Sequence, residues 1–200
     1  MRNPGLILGY HGCDSSTAEE ILAGICEVRP SHNSYDWLGT GAYFWENNPA
    51  RALSWAKSLA RSKRSKIKNP AILGAIIDPG NCLDLAEESS LEQVREAFEG
   101  FRQLCEILGQ PLPVNESAHD DDADLLKRHL DCAVINFVHE FRKAKELRPY
   151  DSVRAPFIEG NELFNGSKLR DKTHVQWCIR DPKSSIIAYF RPRNPEATEA

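Results

Sequence analysis

The sequence predicts one α+β domain, in which strands near both ends of the chain form a sheet and a pair of long helices is inserted between them. Short apolar runs of strand length occur in residues 6–77 and again in 174–190, whereas residues 88–148 carry apolar side chains three and four positions apart. The chain has 200 residues, enough for one sizeable core. We therefore expect a single domain over 1–192, with the helical insertion at about 88–148, and a frayed tail at 193–200.

The first elements are a strand, a capped helix and a loop. Leu6–Tyr10 is short and apolar and leads into His11, which predicts a buried strand that delivers a histidine at its end. Asp14 and the two serines after it predict the N-cap of a helix that runs to about Ile25. Residues 26–36 lack periodicity and are rich in turn formers, so they predict a loop.

The stretch Tyr35–Glu46 is where we expect a ligand to bind. Its twelve positions hold two of the four tryptophans and two of the five tyrosines, and Gly39 and Gly41 lie two residues apart. Glycines so placed let the backbone turn sharply or approach another group closely. Large aromatic side chains follow, which indicates a cleft suited to a planar ligand. Its candidate walls are Tyr35, Trp37, Tyr43 and Trp45.

The next elements are a helix and two strands. Asn48-Pro49 predicts the start of a helix. Its expected core-facing residues are Ala52, Trp55, Ala56 and Leu59. Residues 70–77 form a nearly continuous apolar run, typical of a central strand, and residues 82–85 predict a short return strand.

Two long amphipathic helices are predicted in the insertion. The first begins near Glu88, and its apolar stripe is Leu91, Val94, Phe98, Phe101, Cys105 and Leu108. The second is predicted to open at Asp120–Asp122 and to end before Pro149. Its stripe is Leu126, Leu130, Ala133, Phe137, Phe141 and Ala144. The acidic run with Asp124 has two interpretations, favourable charge at a helix N-terminus or a metal site.

The C-terminal part is predicted to be a long loop followed by two strands. Residues 151–172 are polar and irregular, which indicates a functional loop. Residues 174–179 and 185–190 are the strands, joined by a turn at Asp181-Pro182.

The composition excludes several classes of protein. The net charge is −4, so the whole chain is not a basic nucleic-acid binder, and it contains no apolar run long enough to cross a membrane. Six scattered cysteines without a Cys-x-x-Cys pair favour reduced thiols in a cytoplasmic protein and argue against a zinc ribbon. His119, His129 and His139 are ten residues apart, too far for one metal. We expect no metal cofactor.

One basic segment departs from this acidic balance. Arg61, Arg64 and three lysines crowd residues 61–68. The segment is either a solvated helix C-terminus, where cations are favourable, or a phosphate-facing patch beside an active site.

Three motifs in order give the chain a family resemblance. Tyr10-His11-Gly12, then Gly39-Thr40-Gly41-Ala42-Tyr43, then Gln176 in a late strand resemble the ADP-ribosyltransferases of the histidine–tyrosine–glutamate branch, the diphtheria-toxin and poly(ADP-ribose) polymerase type. The resemblance implies a split antiparallel sheet and NAD as co-substrate. It does not account for the inserted helices at 88–148.

The resemblance also implies roles for individual residues. His11 would bind the NAD ribose, and the Gly12 backbone would bind the nicotinamide carboxamide. Tyr43 would stack on the nicotinamide ring, beside the close backbone of Gly41. Core packing is the alternative role for His11 and Tyr43, and a cysteine nucleophile at Cys13 is another, which requires the first strand to continue past residue 12.

The sequence departs from the family pattern at the third motif. The family has a glutamate that contacts the ribose 2′-hydroxyl, and here the matching residue is Gln176. Glutamine accepts a hydrogen bond but is neutral and is no general base. Glu159 and Glu162, in the preceding loop, are candidates for the missing carboxylate on the acceptor side, together with Arg61 and Arg64.

The sequence thus favours a mono-ADP-ribosyltransferase, with no membrane association. Its acceptor would be a macromolecule, nucleic acid (RNA included) being favoured over protein by residues 61–68. By analogy such small enzymes are toxins of toxin–antitoxin or anti-phage systems, so an antitoxin protein is a candidate partner. The alternatives are a non-catalytic module that binds NAD or ADP-ribose, for which Gln176 argues, and a purely structural interaction domain.

Overall fold

A computed structural model describes residues 5–117, 124–193 and 195. His119 and Asp120–Asp122 of the predicted acidic helix start lie outside these ranges. The strands are β1 Ile7–Asp14, β2 Ala42–Glu46, β3 Pro70–Ile77, β4 Cys82–Asp84, β5 Asn115–Glu116, β6 Lys127–Arg128, β7 Ser152–Phe157, β8 His174–Ile179 and β9 Ile186–Phe190. The helices are α1 Ser15–Leu22, α2 Pro49–Ala60, α3 Glu88–Ile107, α4 His129–Ala144 and α5 Pro182–Ser185.

The α+β class is confirmed. Seven strands form one mostly antiparallel sheet in the order β4-β7-β8-β2-β1-β3-β9, and β5 pairs with β6 in a separate ribbon. Within the large sheet only the edge pair β4 and β7 runs parallel. The helices α3 and α4 fall between β4 and β7 in the chain, where the insertion was expected.

The first strand is longer than predicted, because it continues through Gly12 to Asp14 and so holds His11 at an interior position. It pairs with β3 along its whole length. Its ladder with β2, in contrast, contains only two residue pairs, Gly9 with Glu46 and Tyr10 with Trp45. The ladder between β1 and β2 is therefore the shortest in the large sheet, and it lies beside His11.

The two faces of the sheet bury different clusters. On one face α1 packs with Phe44, Trp177 and Ile77. On the other face, α3 and α4 cover β7 and β8 through residues such as Ile135, Val138 and Cys178. The second helix, α2, lies on that same face over β1. Gly12 permits its close approach, because a Cβ at this position would lie 2.4 Å from the carbonyl oxygen of Ala52.

The loop predicted at 151–172 was wrong in its first part, since β7 occupies residues 152–157 in the interior of the sheet. Arg154 and Pro156 are not typical of an interior strand, so the sequence did not predict this strand. The Arg154 guanidinium is satisfied by Glu46 and Asp84, at 3.0 and 3.2 Å, so the strand tolerates it. The strand predicted at 82–85 does not return along β3 but pairs with β7 at the sheet edge.

The predicted helix starts are confirmed where a cap is present. The Asp14 carboxylate accepts a hydrogen bond from the Ser16 amide, and the Asn48 side chain accepts one from the Arg51 amide. The helix α4 instead begins at His129, beyond the acidic run. Its buried residues also differ from the predicted stripe: they are Cys132, Val134, Ile135, Val138 and His139. Phe141 is exposed.

Across the described ranges, none of the helices has the combined length and apolar character needed to span a bilayer.

Candidate active site

A cavity of about 390 Å³ opens on the face of the sheet that carries α2, within the range usual for small-molecule sites. Its floor is the ladder between β2 and β8, where Tyr43 is opposite Cys178 and Trp45 is opposite Gln176. One wall comes from α2, through residues such as Trp55 and Leu59; the opposite side comes from the loop at 29–37 and from Phe157.

Five of the predicted site residues line this one cavity: His11, Gly41, Tyr43, Glu159 and Gln176. They come from β1, from β2 and the segment that leads into it, from β8, and from the loop that follows β7. The cavity also has six aromatic lining residues, namely Tyr35, Trp37, Tyr43, Trp45, Trp55 and Phe157. This is the cleft with aromatic walls that the Tyr35–Glu46 stretch predicts.

Two hydrogen bonds hold Tyr43 at its hydroxyl group. Its hydroxyl donates to the Gly39 carbonyl oxygen at 2.8 Å and accepts from the Leu38 amide at 3.0 Å. Burial is the main cause that raises the pKa of the Tyr43 hydroxyl, so this group stays protonated and acts as an anchor. The ring is then free to offer a face to the cavity, as stacking requires.

The His11 ring has a defined tautomer. Its Nδ1 lies 2.9 Å from the backbone carbonyl oxygen of Tyr43, which only accepts, so Nδ1 carries the hydrogen. Burial lowers the pKa of His11, which keeps the ring neutral. The second nitrogen, Nε2, therefore has a lone pair that can accept a hydrogen bond from a hydroxyl.

A hydrogen bond from Trp37 orients the side chain of Gln176. The indole Nε1 of Trp37 donates to Oε1 of Gln176 at 2.6 Å. Among the described residues, the Nε2 amide of Gln176 has no hydrogen-bond partner. Gln176 thus offers a ligand two N–H donors, in addition to the remaining lone pair of its carbonyl oxygen.

A carboxylate lies in the same cavity. Glu159 has only 9% of its side chain exposed and pairs with Arg51 of α2, with 2.7 Å between Nη2 and Oε2. Both residues line the cavity. Glu159 is one of the candidates for the missing carboxylate, and this position brings a negative charge into the site that holds Gln176.

Several lining residues leave a buried polar atom unsatisfied. Within the described part of the chain, Asp36 Oδ2, Trp45 Nε1, Arg51 Nε and His174 Nε2 are buried without a hydrogen-bond partner. Buried polar groups are normally paired, so these four unpaired atoms around one cavity can bind a polar ligand or ordered water. Burial raises the pKa of Asp36.

The other predicted residues lie outside the lining of the cavity. Gly12 is explained by the close approach of α2, and its proposed backbone contact stays a prediction. Glu162 is exposed; it accepts a hydrogen bond from the Gly166 amide and forms a bridge with Arg170, so it orders its own loop. Arg61 and Arg64 are exposed just after α2, whose Leu59 lines the cavity.

The helical insertion supports the site, a role that was not expected from the sequence. Asn136 of α4 accepts a hydrogen bond from the Thr40 amide at 2.9 Å and lies against Gly39, whose φ is +80°. Arg128, just before α4, places its guanidinium 4.5 Å from the centre of the Phe157 ring. Leu126 lines the cavity. The insertion thus holds the glycine turn that leads into β2 and part of the wall.

Arg51, His174 and Asp36 are site residues that were not predicted from the sequence. A signal for His174 was present, because residues two apart on a strand share a face and Gln176 was already assigned to the site. No local pattern marks Arg51, whose place depends on the packing of α2, or Asp36.

The surroundings of Cys13 do not favour a cysteine nucleophile. Burial raises the pKa of the Cys13 thiol to about 11, so the thiol stays protonated at neutral pH, and Cys13 packs in the core cluster that contains Phe44 and Trp177. Within the described ranges, no group of three His, Cys, Asp or Glu side chains is arranged to hold a metal ion. Asp124 accepts a hydrogen bond from the Gly160 amide.

Comparison with known proteins leaves the activity open. No model of a known protein family matches the chain. The chain is 26% identical over 192 residues to the uncharacterized protein MJ0359 of Methanocaldococcus jannaschii, a match that covers 86% of this chain and 81% of that protein. That name states no activity.

Proposed function

We propose that this protein is an NAD-dependent mono-ADP-ribosyltransferase, which releases nicotinamide and transfers ADP-ribose to a macromolecule. The observation that supports the proposal is that His11, Tyr43 and Gln176, 165 residues apart at the extremes, line one cavity. Their order along the chain is that of the motifs in the histidine–tyrosine–glutamate branch. The fold would then be an ADP-ribosyltransferase-like split sheet, for which the two-pair join of β1 and β2 is the supporting feature.

Little acid–base catalysis is needed before the nicotinamide leaves. Breaking the bond between nicotinamide and ribose places positive charge on the sugar, so the site must hold the ring flat and stabilise that charge. Tyr43, with its hydroxyl anchored at Gly39, supplies the flat surface. The lone pair on His11 Nε2 accepts a hydrogen bond from a ribose hydroxyl.

In this proposal Gln176 and Glu159 together replace the family's glutamate: Gln176 contacts the ribose, and Glu159 carries the negative charge. Gln176 directs its amide N–H groups to a ribose oxygen, while its carbonyl oxygen accepts the hydrogen bond from Trp37. Glu159 supplies the negative charge that favours the developing cation. Arg51 keeps that carboxylate fixed in the cavity wall.

The acceptor is proposed to be nucleic acid, RNA included, rather than protein. The exposed basic residues at 61–68 begin two positions after Leu59, which lines the cavity, so a phosphate backbone bound there would pass its mouth. As a cytoplasmic toxin or anti-phage effector, such an enzyme would be held in check by an antitoxin protein.

A non-catalytic module that binds NAD or ADP-ribose is the second candidate. It is favoured by one observation, that the residue in the glutamate position is neutral and hydrogen-bonded to Trp37. Such a module would bind NAD in the same cavity without breaking it.

The test is to incubate the protein with labelled NAD and a cell extract and to measure nicotinamide release and label transfer. Tyr43→Ala and His11→Ala should each lower both by about a hundredfold, because each removes a group that positions the reacting bond. Tyr10→Phe, which alters one hydroxyl outside the cavity lining, is the matched control. NAD binding without turnover would support the module instead, and no NAD binding would refute both.

A further inference from the structure

His174 is a buried, oriented base that the proposed roles leave unused. The residue is 6% exposed and lines the cavity, with its ring between Trp45 and Phe157. Its Nδ1 lies 2.6 Å from the backbone carbonyl oxygen of Lys172, so Nδ1 carries the hydrogen. The lone pair is therefore on Nε2, and this atom is buried without a partner among the described residues.

The surroundings of His174 keep it unprotonated at neutral pH and receptive to a proton. Burial lowers its pKa, the hydrogen bond to Lys172 acts against this, and two charged groups act from neighbouring elements. Arg51 on α2 disfavours the imidazolium, while Glu159 beyond β7 favours it. A proton that reaches Nε2 would thus be stabilised by a carboxylate in the same cavity.

The sheet register gives His174 a definite place relative to the proposed NAD site. On β8, Cys178 is opposite Tyr43 and Gln176 is opposite Trp45, and His174 follows on the same face. Alternate residues of a strand are about 7 Å apart. The nicotinamide platform, the ribose contact and His174 thus succeed one another along the strand, which leaves His174 on the far side of the ribose from Tyr43.

We propose that His174 is the general base that activates the acceptor, and that the acceptor group is a neutral O–H or N–H rather than a carboxylate. The inference rests on the proposed function and names the chemical class of its second substrate. A carboxylate is already a nucleophile at neutral pH and needs no base, whereas a hydroxyl or an N–H must lose its proton.

The transfer needs no reactant besides NAD and the acceptor. The acceptor oxygen or nitrogen forms a bond to ribose C1′, and the bond from C1′ to the nicotinamide nitrogen breaks, its electron pair leaving with neutral nicotinamide. The acceptor proton moves to Nε2 of His174. The resulting imidazolium donates through Nδ1 to Lys172 and faces Glu159, then loses its proton to solvent.

The experiment measures label transfer from labelled NAD to the macromolecules of a cell extract, with NAD affinity measured separately by calorimetry. His174→Asn retains a donor for the Lys172 carbonyl but has no base. We expect transfer to fall by at least about a hundredfold, while NAD affinity changes by less than about threefold. His174→Ala should regain transfer when imidazole is added. His32→Asn, at an exposed position outside the cavity lining, is the matched control.

Two further readouts separate a base from a residue that only supports the fold. Transfer by the wild type should decline as pH falls through the pKa of His174, which burial places below that of an ordinary histidine. Glu159→Gln should move this decline to lower pH, because removing the carboxylate makes the imidazolium less favourable. The linkage formed should survive neutral hydroxylamine, which cleaves the esters formed on carboxylates.

The outcomes distinguish the two proposals. Transfer by His174→Asn within about threefold of the wild type would overturn the assignment of His174 alone, as would a label that hydroxylamine releases. Loss of NAD affinity in His174→Asn, without rescue of His174→Ala by imidazole, would also overturn it and indicate a structural role. Absence of nicotinamide release and of label transfer by the wild type would overturn the proposed function and this inference together.

Discussion

Burial sets the protonation of three histidines in this protein, and their hydrogen bonds separate them by role. The pKa values of His11, His139 and His174 are all lowered, with burial as the main cause. His11 and His174 each use Nδ1 on a backbone carbonyl group and turn to one cavity. His139 differs, because both of its nitrogens are buried without partners in the described structure and its ring contacts Tyr150.

His139 should make stability depend on pH. Its pKa is about 3 in the folded protein, against 6.5 for an ordinary histidine. Between pH 7 and pH 5 the unfolded chain therefore takes up a proton at this position that the folded protein does not, so the free energy of unfolding decreases as pH falls. One such group accounts for a loss of about 2 kcal/mol. Urea denaturation of the wild type and His139→Leu at both pH values measures the difference.

The variant should be less sensitive to pH by about that amount, while His32→Gln, at an exposed position, should lose stability as the wild type does. If His139→Leu retains the full sensitivity of the wild type, another group takes up the proton and the attribution to His139 is wrong.

Individual site residues were predictable where a motif fixed both type and position. Tyr43 and His11 follow from glycine and aromatic spacing, and both reach the cavity. The orientation of Gln176 was not predictable, because it depends on Trp37, 139 positions away in the chain. Arg51 was missed for a related reason: a charged residue in the first turn of a helix gives no local sign that its partner is Glu159.

At the scale of elements, periodicity predicted the helices but not their boundaries or contacts. The first long helix occurs as expected, whereas α4 begins at His129 and buries a different set of residues. The strand β7 was not predicted, because the carboxylates that pair with Arg154 lie on two other strands and give no local signal. An amphipathic pattern states that a face is buried but not what covers it.

The insertion should matter for activity although it lies beyond the motifs. Asn136→Ala removes the acceptor for the Thr40 amide and the side chain that packs against Gly39, which together fix the turn into β2. We expect a loss of stability of about 1–3 kcal/mol and a fall of at least about tenfold in nicotinamide release, since the turn positions Tyr43. Denaturant unfolding and the labelled-NAD assay measure the two effects.

Lys143→Ala, on the exposed side of the same helix, should alter neither measurement appreciably. If Asn136→Ala lost stability but released nicotinamide at the wild-type rate, the insertion would be a packing element only.

At the scale of the whole molecule, the candidate site occupies the join between two parts of the sheet. The ladder of two residue pairs between β1 and β2 lies next to His11, and α2 and the insertion cover the same face on either side. The chain order predicted that strands from both ends would share a sheet. It did not predict the neighbours of each strand, because pairing between distant segments depends on interactions that no local pattern encodes.

Charge is distributed unevenly over this architecture. The net charge is −4, yet residues 61–68 are basic and begin where α2 leaves the cavity. If they bind the phosphates of the acceptor, Arg61→Glu with Arg64→Glu should lower label transfer to nucleic acid by about tenfold or more. The salt dependence of transfer should weaken by about one unit of log–log slope for each phosphate that the variant no longer binds.

Nicotinamide release without acceptor should stay at the wild-type rate in this variant, because both arginines lie outside the cavity lining. Lys143→Glu with Lys145→Glu makes the same change of charge near the end of α4 and should leave transfer unchanged, which separates a local patch from the effect of net charge. Equal loss of transfer and nicotinamide release in the arginine variant would instead assign residues 61–68 to the helix end alone, and label on protein rather than nucleic acid would remove the reason to place phosphates there.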